Sequence, residues 1–511
     1  MTSKGRSETS PNACVVGVDI GASGCKAIVF GSDGNGNTRG SAQREYSRNT
    51  PNPGWVELDA EQWWLTVADT IKLAVKTSNI TPEQIKSLGV STETDGVVPI
   101  GDYGKPLRPY IHWSDARCYP QYDWILKNTD IEKIYRITGI PLHKSWWSPP
   151  GLKMLWIKEN EPNVYAKTKK FVQIGNYVSY KLTGEYVNDY SVAARTMLFD
   201  IQKLDWSDDM AELLDIPLST QPTIRKSAEI IGAVTEDASE LTGLAPGTKV
   251  VAGGGDTECS GLSAGLTSEG KALASVGTSL MVLVASAKPP FLSDRKARQL
   301  SGTGVFSSCH VVDGLWLIEA GSMAGARLTW FKNEFGHIED QSASSLGISV
   351  YDLLSVEAKS SGPSLNSPVF VISHDAIFNL TTEHKRGDVI RSIFEGVAFE
   401  AQQIIEASET TGTQVKSIIM VGGGSKSDVW RQIMADVTNR PVSSPDQSET
   451  AAFGAGILAG LGAHVFEDVG GATQTDAYSD NKPHPSAHEI YETLYRKFKA
   501  LYESSRTQPV T

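Results

Sequence analysis

The chemistry in this sequence gathers where a carboxylate meets a run of small residues. Asp19-Ile20-Gly21-Ala22-Ser23 is the first such place. A carboxylate at a strand end, followed by a small-residue turn, can organise a metal-bound phosphate while backbone N–H groups face the anion. Lys26 adds a positive charge. The same residues would also serve an ordinary hairpin with a capping Asp. Val276-Gly277-Thr278-Ser279 repeats the small-residue turn, and two such hairpins facing a cleft could grip the phosphates of one nucleotide. Gly253-Gly254-Gly255-Asp256 puts three glycines before an acid. Glycines let backbone approach a ligand closely, and a carboxylate there can take a proton from an attacking hydroxyl. The competing reading is a glycine-rich hinge. Glu258 is expected to face solvent or to mark a helix start. Gly422-Gly423-Gly424-Ser425 opens a helix, and helix N-termini bind anions. It lacks the spacing of the dinucleotide fingerprint, and no G-x-x-x-x-G-K-[ST] occurs in the chain.

A second set of segments suits a polyhydroxyl ligand: Gly54-Trp55-Val56-Glu57, Glu93-Thr94-Asp95-Gly96 and Trp113-Ser114-Asp115-Ala116-Arg117. A sugar shows both hydroxyls and C–H patches, and polar groups beside aromatic faces meet both. Trp is also a common core residue. The nine histidines fall into no pattern with a nucleophile or as metal ligands.

The elements that must position these residues alternate between strand and helix, which points to α/β layering. Val15 to Val18 and Lys26 to Phe30 read as a hairpin, and Lys271 to Ser275 with Leu280 to Val284 as another. The pair suggests a duplicated domain. Helical spacing covers Ala60 to Val75, Gly387 to Ser408, Glu449 to Gly462 and Glu489 to Ser504. The third is rich in small residues, which suits close backbone approach. Short strands are expected at Ile85 to Val90, Gly96 to Ile100 and Ile418 to Val421, and a linker-like stretch from Gly470 to Pro485.

The chain has 511 residues, which at about 150 per domain predicts two to four domains. The boundary falls near Ser260 to Ser268, giving domains over 13–262 and 263–505. A net charge of −12 argues against nucleic acid and anionic lipid as partners. Five scattered cysteines predict buried free thiols in a reducing compartment. No apolar run reaches the ~18 to 20 residues of a membrane span. Met1 to Pro11 reads as a polar tail without a signal-peptide core. Together these predict a cytoplasmic protein.

Taken in order, the motifs resemble the FGGY carbohydrate kinases, of the sugar-kinase, hexokinase and actin-like ATPase superfamily. The resemblance runs over about residues 14 to 505. Ser148 to Asn160, Leu182 to Glu185, Asp189-Tyr190-Ser191, Arg391 with Glu395 to Phe399, and Ala435-Asp436-Val437 with Pro441-Val442 are family-like. It implies two ribonuclease-H-like domains around a cleft, ATP and Mg²⁺ as cofactors, and γ-phosphoryl transfer to a sugar or polyol hydroxyl. Family members are often dimers. By the resemblance, Asp19 matches the acid near the metal, Gly21, Ala22 and Ser23 the first phosphate loop, beside which Lys26 stands as a nucleotide-side charge, and Gly277 and Thr278 the second. Gly325 lies in a segment, 324–330, that flanks the nucleotide in relatives. Gly424 and Asp428 match the adenosine side, where relatives often carry Asn in place of Asp428. Asp256 matches the general base. Trp55, Glu93, Thr94, Asp95, Trp113, Asp115, Arg117 and Asp256 match substrate-side positions. These segments look most like the xylulose kinases, which implies a neutral pentulose such as xylulose as acceptor. One departure stands out: Gln-Met-His-Gly of those enzymes is Glu93-Thr94-Asp95-Gly96 here, and tetritol kinases have a similar Asp-Gly. A tetritol, pentitol or other ketose is the alternative acceptor. A non-catalytic ATP-gated regulator or a plain ATP hydrolase on the same fold are the rival functions.

Overall fold

Two mixed sheets with one shared strand plan carry the architecture of this computed structural model, which describes residues 13–31, 38–143, 148–298, 304–323, 325–445, 450–473 and 477–506. The first is built from β1 (Cys14–Ile20), β2 (Gly24–Gly31), β3 (Thr38–Glu45), β4 (Ile85–Thr92), β5 (Ile230–Ala233), β6 (Lys249–Val251) and β7 (Gly254–Gly255), in the order β5-β6-β4-β1-β2-β3, with β7 also on β4. The second uses β8 (Lys271–Val276), β9 (Leu280–Ser286), β10 (Phe306–Cys309), β11 (Trp316–Ser322), β12 (Ser417–Val421), β13 (Val442–Pro445) and β14 (Ala477–Asn481), in the order β10-β11-β9-β8-β12-β13-β14.

Pairing directions match over six strands of each sheet, β7 and β10 standing outside the match. An antiparallel hairpin, β1–β2, lies beside parallel β4, with parallel β6 and antiparallel β5 beyond it. In the second sheet the hairpin β8–β9 lies beside parallel β12, then parallel β13 and antiparallel β14. The duplication expected from two small-residue hairpins is therefore present in the topology. β14 also corrects the linker reading of Gly470 to Pro485, since residues 477–481 pair with β13.

The principal helices are α1 (Ala60–Thr77), α2 (Pro150–Asn160), α3 (Ile174–Thr183), α4 (Asp256–Ser263), α5 (Ala326–Phe335), α6 (Arg386–Glu409), α7 (Asp428–Thr438), α8 (Thr450–Gly462) and α9 (Pro485–Arg506). Asp59 caps α1 by accepting from the Glu61 and Gln62 amides at 2.9 and 3.1 Å. The helix buries Trp63, Trp64, Val67 and Ile71 against the first sheet. Phe394 and Phe399 of α6 and Phe498 of α9 are enclosed in the core of the second sheet.

α8 comes late in the chain yet covers the first sheet. A Cβ on Gly17 would lie 1.8 Å from the Ala452 carbonyl oxygen, and one on Gly89 would lie 2.1 Å from that of Ala455. Ser87 Oγ donates to the Ala459 carbonyl at 2.7 Å. This contact between helix and strand backbones is possible only without side chains between them, which accounts for the small-residue composition of the helix. All five cysteines are buried thiols outside any disulfide. Among the described residues no helix is long and apolar enough to cross a membrane. The segment Met1 to Pro11 lies outside the described residues.

Candidate active site

In open α/β sheets, ligands bind in the crevice outside the C-terminal ends of the parallel strands. In the first sheet β1 ends at Asp19-Ile20, β4 at Thr92 and β7 at Gly255. Their register sets Ile20 against Thr92 and Gly255 against Thr92, so Asp19, Glu93 and Asp256 emerge side by side. The Glu93 amide donates to the Ile20 carbonyl at 2.7 Å, extending that alignment one residue beyond the strand. Asp19 accepts from Ser91 Oγ at 3.1 Å and faces Lys26 across the hairpin. Gly21, Ala22 and Ser23 form the turn, closed by the Gly21 amide on the Gly24 carbonyl at 3.0 Å. Tyr46 braces the turn by donating to the Gly21 and Gly24 carbonyls.

Asp256 is the first residue of α4. The chain reaches it through glycines for steric reasons. A Cβ on Gly253, where φ is +78°, would sit 2.0 Å from the Val90 carbonyl, and one on Gly255 2.2 Å from Glu258 Oε2. The Gly255 amide donates to Ser191 Oγ at 2.9 Å, and Ser191 donates to Asp189 Oδ2 at 2.7 Å. The family-like Asp189-Tyr190-Ser191 thus props the strand that carries Asp256. Burial lifts the Asp256 carboxyl from 3.8 to about 6, the charge on Glu93 adds to the rise, and the Thr257 amide at 2.7 Å offsets part of it.

Glu258 stands in the first turn of α4, as the helix-start reading expects, but it is 1% exposed rather than solvent-facing. Burial and Glu319 hold its carboxyl well above the usual range. Arg195 lies 3.6 Å from it and 2.6 Å from Glu319 on β11, so this cluster ties α4 to the second sheet.

In the second sheet Ser275 of β8 pairs with Val421 of β12. The Gly277-Thr278 turn and the Gly422 to Gly424 turn therefore leave the sheet together. A Cβ on Gly422 would lie 2.7 Å from the Val276 carbonyl, and one on Gly325 only 1.5 Å from that of Gly277. At Gly277 and Gly423 a Cβ would meet nothing within 4 Å, so both positions border open space, and the Gly277 amide closes its turn on the Ser279 carbonyl at 2.9 Å. Asp428 opens α7 on the exposed rim, accepting from Asn481 Nδ2 at 3.2 Å and Arg431 Nη2 at 3.3 Å.

The aromatic side is organised by an ion-pair lattice. Arg117 Nε and Nη2 each donate to Asp115 at 2.8 Å, and Nη2 lies 2.7 Å from Glu57. The guanidinium sits 3.8 Å from the centre of the Trp55 ring. Asp115 also accepts the Val56 amide at 2.6 Å. Both Asp115 oxygens are thus engaged in holding the Trp55 segment, while Nη1 of Arg117 is buried with no hydrogen-bond partner among the described residues. Glu93 turns inward, accepting from Tyr110 at 2.6 Å and lying 2.9 Å from His112 Nε2. Thr94 is half-buried beside Gly255, and Trp113 is 46% exposed. Asp95 is buried, with a left-handed backbone at φ +72°. Lys153, Gln173, Tyr110, His112, Ser191 and Arg195 support these residues from other elements. Lys153 and Ser191 fall in the family-like segments, but no local pattern shows these supporting roles, because each acts through a partner distant in sequence.

The family model for the N-terminal domain of the FGGY family of carbohydrate kinases matches residues 14–263, and that for the C-terminal domain matches residues 272–463. The chain belongs to the FGGY family of carbohydrate kinases. It is a phosphotransferase with an alcohol group as acceptor, in a family that uses ATP. A xylulose kinase from Bacillus subtilis (strain 168) is 28% identical over 506 residues, covering 96% of this chain and 97% of that protein. A glycerol kinase from Thermococcus kodakarensis is 29% identical over 468 residues, covering 89% of each. The crystal structure of xylulose kinase from Rhodospirillum rubrum superposes with a TM-score of 0.84 at 26% identity, covering 96% of this chain and 99% of that one. This FGGY kinase shares their mixed α/β fold with two sheets, as in actin-like ATPase domains.

Proposed function

We propose that this FGGY kinase transfers the γ-phosphoryl group of ATP to a hydroxyl of a neutral pentulose such as xylulose, with Asp256 as general base. The observation that carries the reading is the placement of Asp256. It stands at the end of β7 with its carboxyl at about 6, low enough to be ionised at neutral pH and high enough to accept a proton well. Trp55 and Trp113 offer apolar faces, and Arg117 Nη1 is a buried donor without a protein partner among the described residues, suited to a sugar hydroxyl. Glu93, Asp95 and Asp256 make the neighbourhood acidic, which favours hydroxyl donors and repels sugar acids.

In this reading Asp256 accepts the proton of the attacking hydroxyl. The amides of Ala22, Ser23 and Thr278 receive charge on the phosphoryl oxygens, those of Gly21 and Gly277 close their turns on the Gly24 and Ser279 carbonyls, and Lys26 adds to the field. The Gly325 backbone holds the second turn in place, and Gly424 and Asp428 border the nucleoside. Asp19 fits Mg²⁺, since it is a hard oxygen donor at a strand end beside the first turn. The metal, when bound, neutralises phosphate charge. The domains, 13–262 and 263–505, would close over the substrates and exclude water.

A smaller polyol is the second acceptor, favoured by Thr94 and Asp95 where xylulose kinases carry Met and His and by the similarity to a glycerol kinase. ADP release measured over ketoses, pentitols, tetritols, glycerol and sugar acids tests the proposal. The highest kcat/KM is expected on a neutral ketopentose. A sugar acid as best substrate, or phosphate release unaffected by any sugar, would overturn it.

A further inference from the structure

The sugar-side loop is held by two buried side chains that the phosphoryl-transfer reading does not use. Lys153 on α2 is fully enclosed. Its Nζ donates to the Asp95 carbonyl at 2.6 Å and to the Ser148 carbonyl. Gln173, which precedes α3, accepts the Asp95 amide on Oε1 at 3.0 Å. Its Nε2 is anchored on the Val192 carbonyl at 2.9 Å, and its own amide on Asn176 Oδ1 at 3.1 Å. Both backbone polar groups of one residue are thus gripped by side chains from different elements. That residue is in a left-handed conformation, φ +72°, which L-residues adopt at a cost and keep only where surroundings enforce it. The next residue is wedged as well, since a Cβ on Gly96 would lie 1.9 Å from the Tyr110 hydroxyl.

A buried ammonium is expensive, and burial lowers the Lys153 pKa. A neutral side chain would relieve that cost, so its presence calls for a specific use. Its position among Asp95, Asp115 and Glu93 offsets their negative charge while the ammonium holds the loop. Ser148 Oγ donates to the Asp115 carbonyl at 2.9 Å, so Lys153 also couples the Asp95 loop to the Asp115–Arg117–Trp55 lattice.

We infer that Lys153 and Gln173 form a backbone clamp that fixes the direction of the Asp95 side chain, and that this clamp, acting as a pair of positioning residues, sets which neutral polyhydroxyl acceptor the kinase prefers. The inference rests on the sugar-site reading above. Release of the clamp lets Asp95 relax from its left-handed conformation, and the carboxylate then points at a different hydroxyl.

The test uses the full chain and the acceptor panel of ketoses, pentitols, tetritols and glycerol, with Lys153→Met, Gln173→Met, the double variant and Asp95→Ala. Each clamp variant is expected to raise the acceptor KM about tenfold or more, with kcat changed less. The preference between the two best acceptors should shift by about fivefold or more, while the KM for MgATP stays within about twofold. The double variant should resemble the worse single variant, since both act on one conformation. A merely structural role would lower melting temperature and kcat for all acceptors alike and leave their ratios unchanged, and that result in folded variants overturns the clamp. Should Lys153→Met fail to fold, Gln173→Met decides alone. A shifted preference in Asp95→Ala without one in the clamp variants also overturns the clamp. An unshifted preference in Asp95→Ala overturns the sugar-site reading, and the clamp with it.

Discussion

The Gly325 backbone rests against the Gly277 carbonyl so closely that a Cβ on Gly325 would fall 1.5 Å from that oxygen. The second small-residue turn is therefore held in place by a residue far along the chain, at the head of α5. Gly325→Ala should push the turn aside by about an ångström or more, and displacements of that size can cost about 10²-fold in rate. Steady-state kinetics should show a large rise in the KM for MgATP or fall in kcat, with the acceptor KM little changed. Unchanged nucleotide kinetics would remove this turn from the phosphate site.

Asp256 gives the second prediction. With its carboxyl at about 6, kcat/KM should rise with pH and level off above that value, because only the ionised form accepts a proton. Asp256→Asn should lower kcat by about 10²-fold or more while MgATP still binds. A variant that keeps more than about a tenth of kcat would refute the base assignment.

The same residue makes a prediction about stability with the opposite sign. Its folded pKa lies above the unfolded 3.8, so the native state binds the proton more tightly. That contribution is present in full below 3.8 and is lost as pH rises through about 6. Above that value the protein carries a partly desolvated charge that Asp256→Asn lacks. The variant should melt a few degrees higher than the parent at pH ~7.5, and the gap should narrow towards pH ~5. A gap independent of pH would show that Asp256 is solvated when folded.

Arg117→Lys tests the lattice beneath Trp55. Lysine keeps the charge but cannot make the paired 2.8 Å bonds to Asp115 or stack a guanidinium 3.8 Å over the ring. The acceptor kcat/KM should fall by about tenfold or more through KM, with MgATP kinetics preserved, measured by initial rates at saturating nucleotide. An unchanged acceptor KM would mean that the Trp55 segment holds its place without the lattice.

Gly454→Val probes the crossing of α8 over α4. The added Cβ would lie 2.0 Å from the Cys259 carbonyl on the helix that begins with Asp256. Overpacking there should cost about 1–3 kcal/mol or more, read as a lower melting temperature together with reduced kcat. Wild-type stability would mean that the two helices can separate freely.

Much of the fold is legible in the residues themselves. Alternating strand and helix patterns, the two hairpins, and the long helices α1, α6 and α9 all follow from local periodicity, which depends on which face of each element meets the core. The small-residue character of Glu449 to Gly462 announces a close approach but not its partner. That partner is the first sheet, because only the folded chain brings Ala452 against Gly17 and Ala455 against Gly89. Glu258 keeps its expected place at a helix start but not the expected solvent exposure, for a related reason. Near a helix start a Glu is normally solvated, and its burial depends on Arg195 and Glu319 from distant segments.

Residue order alone dictates which side-chain types stand at the ends of strands: an acid at the end of β1 with small residues after it, small residues after β8, and an acid after the glycines of β7. Strand register, a tertiary property, brings Asp19, Glu93 and Asp256 out together. Tertiary packing likewise commits both Asp115 oxygens to Arg117 and Val56, turns Glu93 to Tyr110 and His112, and places Asp95 in the grip of Lys153 and Gln173. The reason is physical. A side chain's type is written locally, but the partner that satisfies a buried polar atom comes from whatever element the fold lays beside it.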